Sequence, residues 1–225
     1  MDCLLPLNKS TILRYLGYRK KQELPAELDA ITDKMIVKIQ KIAKPRYHYQ
    51  VFDLKIDEKS NKVDVLGTKL ILTGKKIVEH LRYAKKVALL VATLGIEVER
   101  KISHYDISDA TKALIADAVC TDYIEKVCDL AEVDLKKALG NSWYLNRRFS
   151  PGYGDLPLSV QPNLLETMQS FRKLGVHLND NLLMIPMKSV TAIIGLFDQK
   201  DLAKPRWQKS GCEIWQMGKQ CSFRV

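Results

Sequence analysis

The sequence has little of what marks disordered, disulfide-bonded or membrane-spanning chains. Only eight prolines and eleven glycines occur in 225 residues, too few for a disordered composition. No apolar run approaches the roughly 20 residues of a membrane helix, and the start MDCLLPLNKS lacks the basic flank and long apolar region of a secretory signal. The cysteines are odd in number and scattered, unlike a disulfide framework; they are Cys3, Cys120, Cys128, Cys212 and Cys221. We expect a cytoplasmic protein with reduced thiols and no membrane contact.

The charge is unbalanced. The chain has 36 Lys and Arg against 26 Asp and Glu, a net charge of +10 at pH 7. Such a charge suits an acidic protein partner or nucleic acid, and lysines spread over several segments also occur on an ordinary solvated surface. The sequence has no RNP-type aromatic strand, Gly-x-x-Gly clamp or zinc-finger spacing, which disfavours nucleic acid. A basic module that binds nucleic acid or protein stays open as an alternative.

Length and periodicity favour one domain of the α+β class. With 46% hydrophobic residues, the chain can bury a sizeable core. We predict a single domain over residues 1–225, with residues about 1–45 as an N-terminal helical part and about 200–225 as a C-terminal tail. Helical spacing and end signals predict helices at 8–17, 25–44, 75–84, 96–106, 108–140 and 164–175. Period-two or continuous apolar runs predict strands at 47–56, 63–72 and 85–95, and two more in 181–198 joined near Pro186 and Met187. Without strict βαβ alternation, the sheet should be antiparallel or mixed.

The stretch RRFSPGYGDLPLS, which follows the long helix, combines residues that restrict the backbone. As a plain surface turn, Pro-Gly would occupy the central positions of a type II turn. As a ligand loop, Gly152 and Gly154 would let a ligand approach the main chain, with the entry angle fixed by Pro151. Tyr153 could cover a flat or cationic group, and Arg148 offers a planar fork for a carboxylate. The second interpretation predicts an amino acid-like ligand.

The long helix carries carboxylates on an otherwise apolar segment. LIADAVCTDYI is apolar nearly all round, which predicts burial. Asp117 and Glu125 are eight residues apart and point toward one side of the helix, about 80° from each other. A buried carboxylate needs a donor or a cation. A salt bridge to one of the many Lys and Arg residues and a site for a positive ligand both satisfy this need.

Two motifs in this order resemble the S-adenosylmethionine-binding reactivation, or activation, domain of cobalamin-dependent methionine synthase. They are R-x-x-P-G-Y, as Arg148, Pro151, Gly152 and Tyr153 followed by Pro157, and M-x-P-x-x-S-V, as Met184, Pro186, Ser189 and Val190. The spacing of Asp117 and Glu125 is similar to an acidic pair in that family. The N-terminal LNKSTILRYLGYR resembles free-standing relatives of the domain. The resemblance covers residues 8–196.

The resemblance implies a C-shaped α+β domain with a twisted antiparallel β-sheet flanked by helices, holding S-adenosylmethionine in a shallow groove. Arg148 would bind the ligand carboxylate and Glu125 would oppose its positive charge, with Asp117 as a second candidate. The loop from Ser150 to Gly154 would hold the ligand by its backbone, with Tyr153 beside the sulfonium. The implied ligand-binding residues are Asn8, Asp117, Glu125, Arg148, Ser150, Pro151, Gly152, Tyr153, Gly154, Ser189 and Ile194.

Three of these residues are placed by the resemblance alone. Asn8 stands where the family has an Asp that holds the ligand ammonium. Ser189 begins a segment, continuing to Gly195, that would form a wall by backbone contacts, against adenine near Ile194.

No residue is expected to transfer a proton, because the sulfonium is already a strong methyl donor and the cobalt of cobalamin is the nucleophile.

The implied function is an activation subunit that supplies methyl groups for reductive remethylation of oxidised cob(II)alamin. The chain has no D-x-H-x-x-G cobalamin signature, so cobalamin would be carried by a partner methionine synthase or related corrinoid protein. A flavodoxin- or ferredoxin-like protein would donate the electron. The chain would then be part of a methyltransferase that is active only in complex.

At the C-terminus, Cys212 and Cys221 lack the spacing of a zinc site, which favours free thiols or a disulfide and no metal.

Overall fold

The computed structural model describes residues 5–19 and 22–203. The described helices are α1 (Lys9–Tyr15), α2 (Ala26–Ile42), α3 (Lys75–Leu81), α4 (Ile96–Ser108), α5 (Ala110–Leu139), α6 (Gln161–Thr167) and α7 (Ser170–Leu174). The described strands are β1 (Arg46–Asp57), β2 (Lys62–Val65), β3 (Ile71–Thr73), β4 (Lys86–Thr93), β5 (Tyr144–Leu145), β6 (His177–Leu178), β7 (Met184–Ile185) and β8 (Ser189–Phe197).

The main sheet has six strands in the order β3-β2-β1-β4-β8-β5, and β6 and β7 form a separate pair. Every paired strand in both sheets is antiparallel. The long β1 pairs with β4 through its first part and with β2 through its last four residues. This confirms the predicted α+β class with an antiparallel sheet.

Helices cover both faces of the sheet. Side chains alternate along β4: Ala88 and Leu90 join a core with α1, α2, α4 and α5, while Val87 and Leu89 join a second core with α3, α6 and α7. Because both faces of β4 are buried, its sequence is apolar without alternation. The predicted buried strand and the predicted long helix, which ends at Gly140, are both confirmed.

Two predicted elements are wrong in detail. The segment predicted as one helix at 164–175 is divided between α6 and α7, because Gln169 lies between them in the left-handed conformation with φ of 50°. The strand predicted at 63–72 is β2 and β3 joined by a turn in which the Val65 N–H donates to the Leu70 carbonyl. Gly67, with φ of 78°, occupies this turn.

The N-terminal helices pack on the α5 side of the sheet, where Leu5, Ile12 and Ile39 are fully buried. The predicted extent of the domain and its tail stays a prediction, because residues 204–225 lie outside the described part, as do Cys3, Cys212 and Cys221. Among the described helices, none has both the length and the apolar character to cross a membrane.

Candidate functional site

The predicted ligand loop runs along the outer edge of β8. The Phe149 N–H donates to the Ile193 carbonyl at 3.0 Å, and the Ile193 N–H donates to the Phe149 carbonyl at 2.7 Å. Next along the chain, Ser150 Oγ donates to the Thr191 carbonyl at 2.7 Å. The first sequence motif therefore lies beside β8, the strand in which the second motif ends.

Internal bonds fix the shape of this loop. The Gly152 N–H donates to the Leu156 carbonyl at 2.9 Å, and the Tyr153 N–H donates to the Ser150 carbonyl at 3.1 Å. Gly152 and Gly154 have φ of 82° and 64°, a region that favours glycine. The loop conformation thus depends on both glycines.

Arg148 lies on the α5 side of the sheet, with its side chain only 9% exposed. Its Nη2 lies 2.7 Å from Glu125 Oε2, its Nη1 lies 3.1 Å from Asp129 Oδ1, and Glu132 accepts a further bond from Nη1. Burial alone would lower the pKa of Arg148, but Cys128 and the three carboxylates raise it above its usual range. We call Arg148 with Glu125, Asp129 and Glu132 the acidic cluster.

The acidic cluster has one positive and three negative groups, so its formal charges sum to −2. Both terminal nitrogens of Arg148 already donate to carboxylates, and its side chain is only 9% exposed, so little of it is accessible to a ligand carboxylate. A positive group near the cluster would instead be attracted. The residues of the cluster therefore fit the sulfonium or ammonium of a ligand better than its carboxylate.

Sequence reasoning did not single out Asp129 and Glu132. Together with Glu125 they occupy positions i, i+4 and i+7 of α5, which place three carboxylates on one helix face. This spacing could have indicated a binding site for a cation, because one Arg or Lys side chain packed on this helix face can contact all three carboxylates.

Asp117 lies in a separate ion pair. Its Oδ1 lies 2.7 Å from Lys188 Nζ, which also donates to Thr121 Oγ1 at 3.1 Å. Lys188 belongs to the second sequence motif, so this pair fastens the segment before β8 to α5. The salt-bridge alternative that the sequence left open therefore describes Asp117 and Glu125 alike, and a ligand contact of either stays a prediction.

Asn8 caps α1. Its Oδ1 accepts bonds from the Thr11 N–H at 3.2 Å and from Ser10 Oγ at 2.7 Å, while its own N–H donates to Asp122 Oδ2 at 2.8 Å. The predicted contact of Asn8 with a ligand ammonium stays a prediction. Asp122, a residue that the sequence analysis missed, is 3% exposed and brings a further carboxylate to this part of α5.

The residues predicted as a wall lie in β8. Ser189 Oγ donates to Thr93 Oγ1 at 2.9 Å in a buried position. Ile194 is fully buried and pairs with Ala88 of β4, so its main chain points away from the loop. The main-chain groups of β8 that face the loop belong to its neighbour Ile193 and to Thr191.

Sequence comparisons gave no match, either to a protein-family model or to a curated protein. Among solved structures, the chain is similar to a crystal structure of the MetH reactivation domain bound to AdoHcy. The two share 12% sequence identity with a TM-score of 0.65, and the match covers 92% of this chain and 76% of that chain. At such low identity the likeness establishes the fold and nothing further. This chain has the fold of the MetH reactivation domain.

Proposed function

We propose that this chain binds S-adenosylmethionine at the sheet edge between α5 and the loop 148–154, and that it acts as the activation subunit of a corrinoid methionine synthase. The observation that supports this most is the shared fold with a domain bound to AdoHcy, S-adenosylhomocysteine. That molecule is what remains when S-adenosylmethionine gives up its methyl group. The first motif that suggested this ligand also lies beside β8, the strand in which the second motif ends.

The charge of the acidic cluster supports a cationic ligand. S-adenosylmethionine carries a positive sulfonium and a positive ammonium, and both are attracted to a net negative site. Glu125 is the most exposed carboxylate of the cluster, at 39% against 29% for Asp129 and 18% for Glu132. We assign the contact with the sulfonium to Glu125, while Arg148 positions the carboxylates.

The loop 148–154 would give the ligand a preformed surface. Its backbone is fixed before a ligand arrives, so little ordering cost remains on binding. The Tyr153 ring is 62% exposed and packs edge-on against Phe149, with 5.5 Å between ring centroids. It is therefore held in place yet free on one side to cover a flat group.

In the proposed reaction, this chain holds the methyl donor and the partner supplies the acceptor. After reduction by an electron from a flavodoxin- or ferredoxin-like protein, the cobalamin of the partner would supply a nucleophilic cobalt, to which the methyl carbon would bond. The methyl carbon leaves the sulfonium sulfur without its bonding electrons, and S-adenosylhomocysteine is the product. The residues of this chain orient the sulfonium and transfer no proton.

A reconstitution assay tests this function. The chain is mixed with a cobalamin-loaded methionine synthase that lacks its own activation domain, an electron donor and S-adenosylmethionine carrying a labelled methyl group. We expect the cob(II)alamin absorbance to be replaced by that of methylcobalamin, with label transferred to cobalt, only when the chain is present. Equal rates with and without the chain, across several corrinoid partners, would rule out the activation role.

A further inference from the structure

A cavity of about 700 Å³ lies on the opposite side of the sheet edge from the acidic cluster, between α3 and the segment 146–153. Neighbouring residues of an extended segment face opposite sides. Arg147 and Phe149 accordingly line this cavity, whereas Arg148 points to α5. Pockets that bind small molecules have volumes of a few hundred to about a thousand cubic ångströms, so the cavity is large enough for one.

Aromatic rings form much of its wall. Phe149 is 4% exposed, and its ring contacts those of His80 and Tyr153 at centroid distances of 5.0 and 5.5 Å. Tyr83, which lies two residues after the end of α3, is 55% exposed and also lines the cavity. Two tyrosine rings at the mouth of a cavity with an aromatic interior suit a flat ligand, which can stack on them.

The charged side chains of the cavity are mainly positive. Lys76 and Arg147 line it and form no ion pair with any carboxylate of residues 5–19 and 22–203. A third lining cation, Arg82, is paired with Glu58 at 2.9 Å, and the lining residues of the described chain include one carboxylate, Glu79. The two unpaired cations give the cavity an affinity for anions.

Lys76 is held against the loop. A Cβ added to Gly154 would lie 2.8 Å from Lys76 Cδ, so the lysine stem runs directly over this glycine. Asp155 accepts bonds from the N–H groups of Lys75 and Lys76 at 2.7 and 3.1 Å, which joins the loop to the start of α3. The Lys76 side chain and the aromatic residues therefore line the same cavity.

We propose that this cavity binds a planar aromatic anion of about the size of a mononucleotide. The ring would stack on Tyr83, and the anionic group would bind Arg147 and Lys76. The inference is independent of the proposed function, because the two sites differ in charge: the acidic cluster attracts cations and this cavity attracts anions.

The test is a calorimetric titration of the full chain with adenosine 5′-monophosphate. We expect saturable binding of one equivalent, with adenosine and inorganic phosphate each binding more weakly. Arg147→Ala should weaken the nucleotide by about tenfold or more, as for loss of a charge-assisted bond. Tyr83→Ala should weaken it as well, while Tyr83→Phe, which keeps the ring, should not. The matched control is Arg172→Ala, which removes an exposed arginine of α7 that does not line the cavity.

Several results would overturn the inference. Absence of heat at millimolar nucleotide would do so, and an equal loss in Arg172→Ala would reduce the effect to overall charge. Phosphate binding as tightly as the nucleotide would leave no role for the rings. If Glu125→Gln weakened the nucleotide, the nucleotide would be occupying the α5 side. Retained nucleotide binding in a chain that fails to bind S-adenosylmethionine would support the cavity and contradict the proposed function alone.

Discussion

Nη2 of Arg148 lies 2.7 Å from Oε2 of Glu125, which fastens the loop beside β8 to the middle of α5. The pair has both a structural and an electrostatic consequence. Arg148 neutralises part of a row of carboxylates that would otherwise repel one another, and the remaining negative charge lies beside the loop. The same contact therefore stabilises the fold and sets the sign of the charge that a ligand would meet.

Removing the cation should cost stability. Arg148→Ala leaves three carboxylates together without their shared partner, and we expect a loss of about 3 kcal/mol in the free energy of unfolding, the lower end for a broken buried pair because the carboxylates are partly exposed. Denaturant unfolding measures this loss. Arg172→Ala, on an exposed helix surface, should change stability by less than about 0.5 kcal/mol, and equal values for both variants would contradict a structural role for Arg148.

Asp155 should anchor the ligand loop to α3. Its carboxylate accepts the N–H groups of Lys75 and Lys76, and the position before them is Gly74, which has no capping side chain of its own. Asp155→Ala should therefore cost about 1 kcal/mol, as for other lost helix caps. Asp155→Asn, which keeps one acceptor, should lose less. A thermal midpoint unchanged in both variants would show that the junction does not depend on this residue.

The thiols of α5 should be unreactive. Burial raises the pKa of Cys120 to about 12 and that of Cys128 to about 12, so almost no thiolate is present at pH 8. Neither should be alkylated by iodoacetamide in the native protein, and both should react once it is unfolded. Peptide mapping by mass spectrometry distinguishes them from the other cysteines. Rapid native labelling of Cys128 would mean that α5 opens readily.

Acid should weaken the start of α5. The side-chain bond from Lys112, together with the bond from its N–H, lowers the pKa of Asp109. A carboxyl whose pKa is lower in the folded state stabilises the protein above its unfolded pKa, and this contribution is lost as pH falls through the folded pKa. Asp109→Asn, which keeps a capping oxygen, should be less stable than the original at pH 7, with the difference shrinking below about pH 3.9. A difference that is constant with pH would contradict the assignment.

The parts of the fold that follow from local pattern could be predicted from the sequence. α5 and β4 are buried on more than one side, and their sequences are correspondingly apolar nearly all round in α5 and without alternation in β4. The break at Gln169 could not be predicted, because nothing in that residue type favours the left-handed conformation that it adopts. β5 has only two residues, which are extended because they pair with β8. Its own sequence is too short to predict a strand.

In the candidate site, too, the properties of single residues could be predicted from the sequence and their pairing could not. The sequence indicated that Arg148 needs a carboxylate and that Glu125 needs a cation, from the chemistry of each residue. It did not indicate that the two satisfy each other, since they are 23 residues apart and meet only because the chain turns back from α5 along β8. Ile194 is a similar case, since which face and which edge a strand residue presents depends on its pairing.

The most direct test is a calorimetric titration of the chain with S-adenosylmethionine and with S-adenosylhomocysteine, repeated on Glu125→Gln. We expect both ligands to bind, and Glu125→Gln to weaken S-adenosylmethionine by about tenfold while changing S-adenosylhomocysteine much less, because only the former has a positive sulfur. Glu97→Gln, an equal charge change on α4, is the control and should alter neither. No binding of either ligand at millimolar concentration, alone or with a corrinoid partner, would contradict the proposed function, and equal losses for both ligands would remove Glu125 from the sulfonium contact.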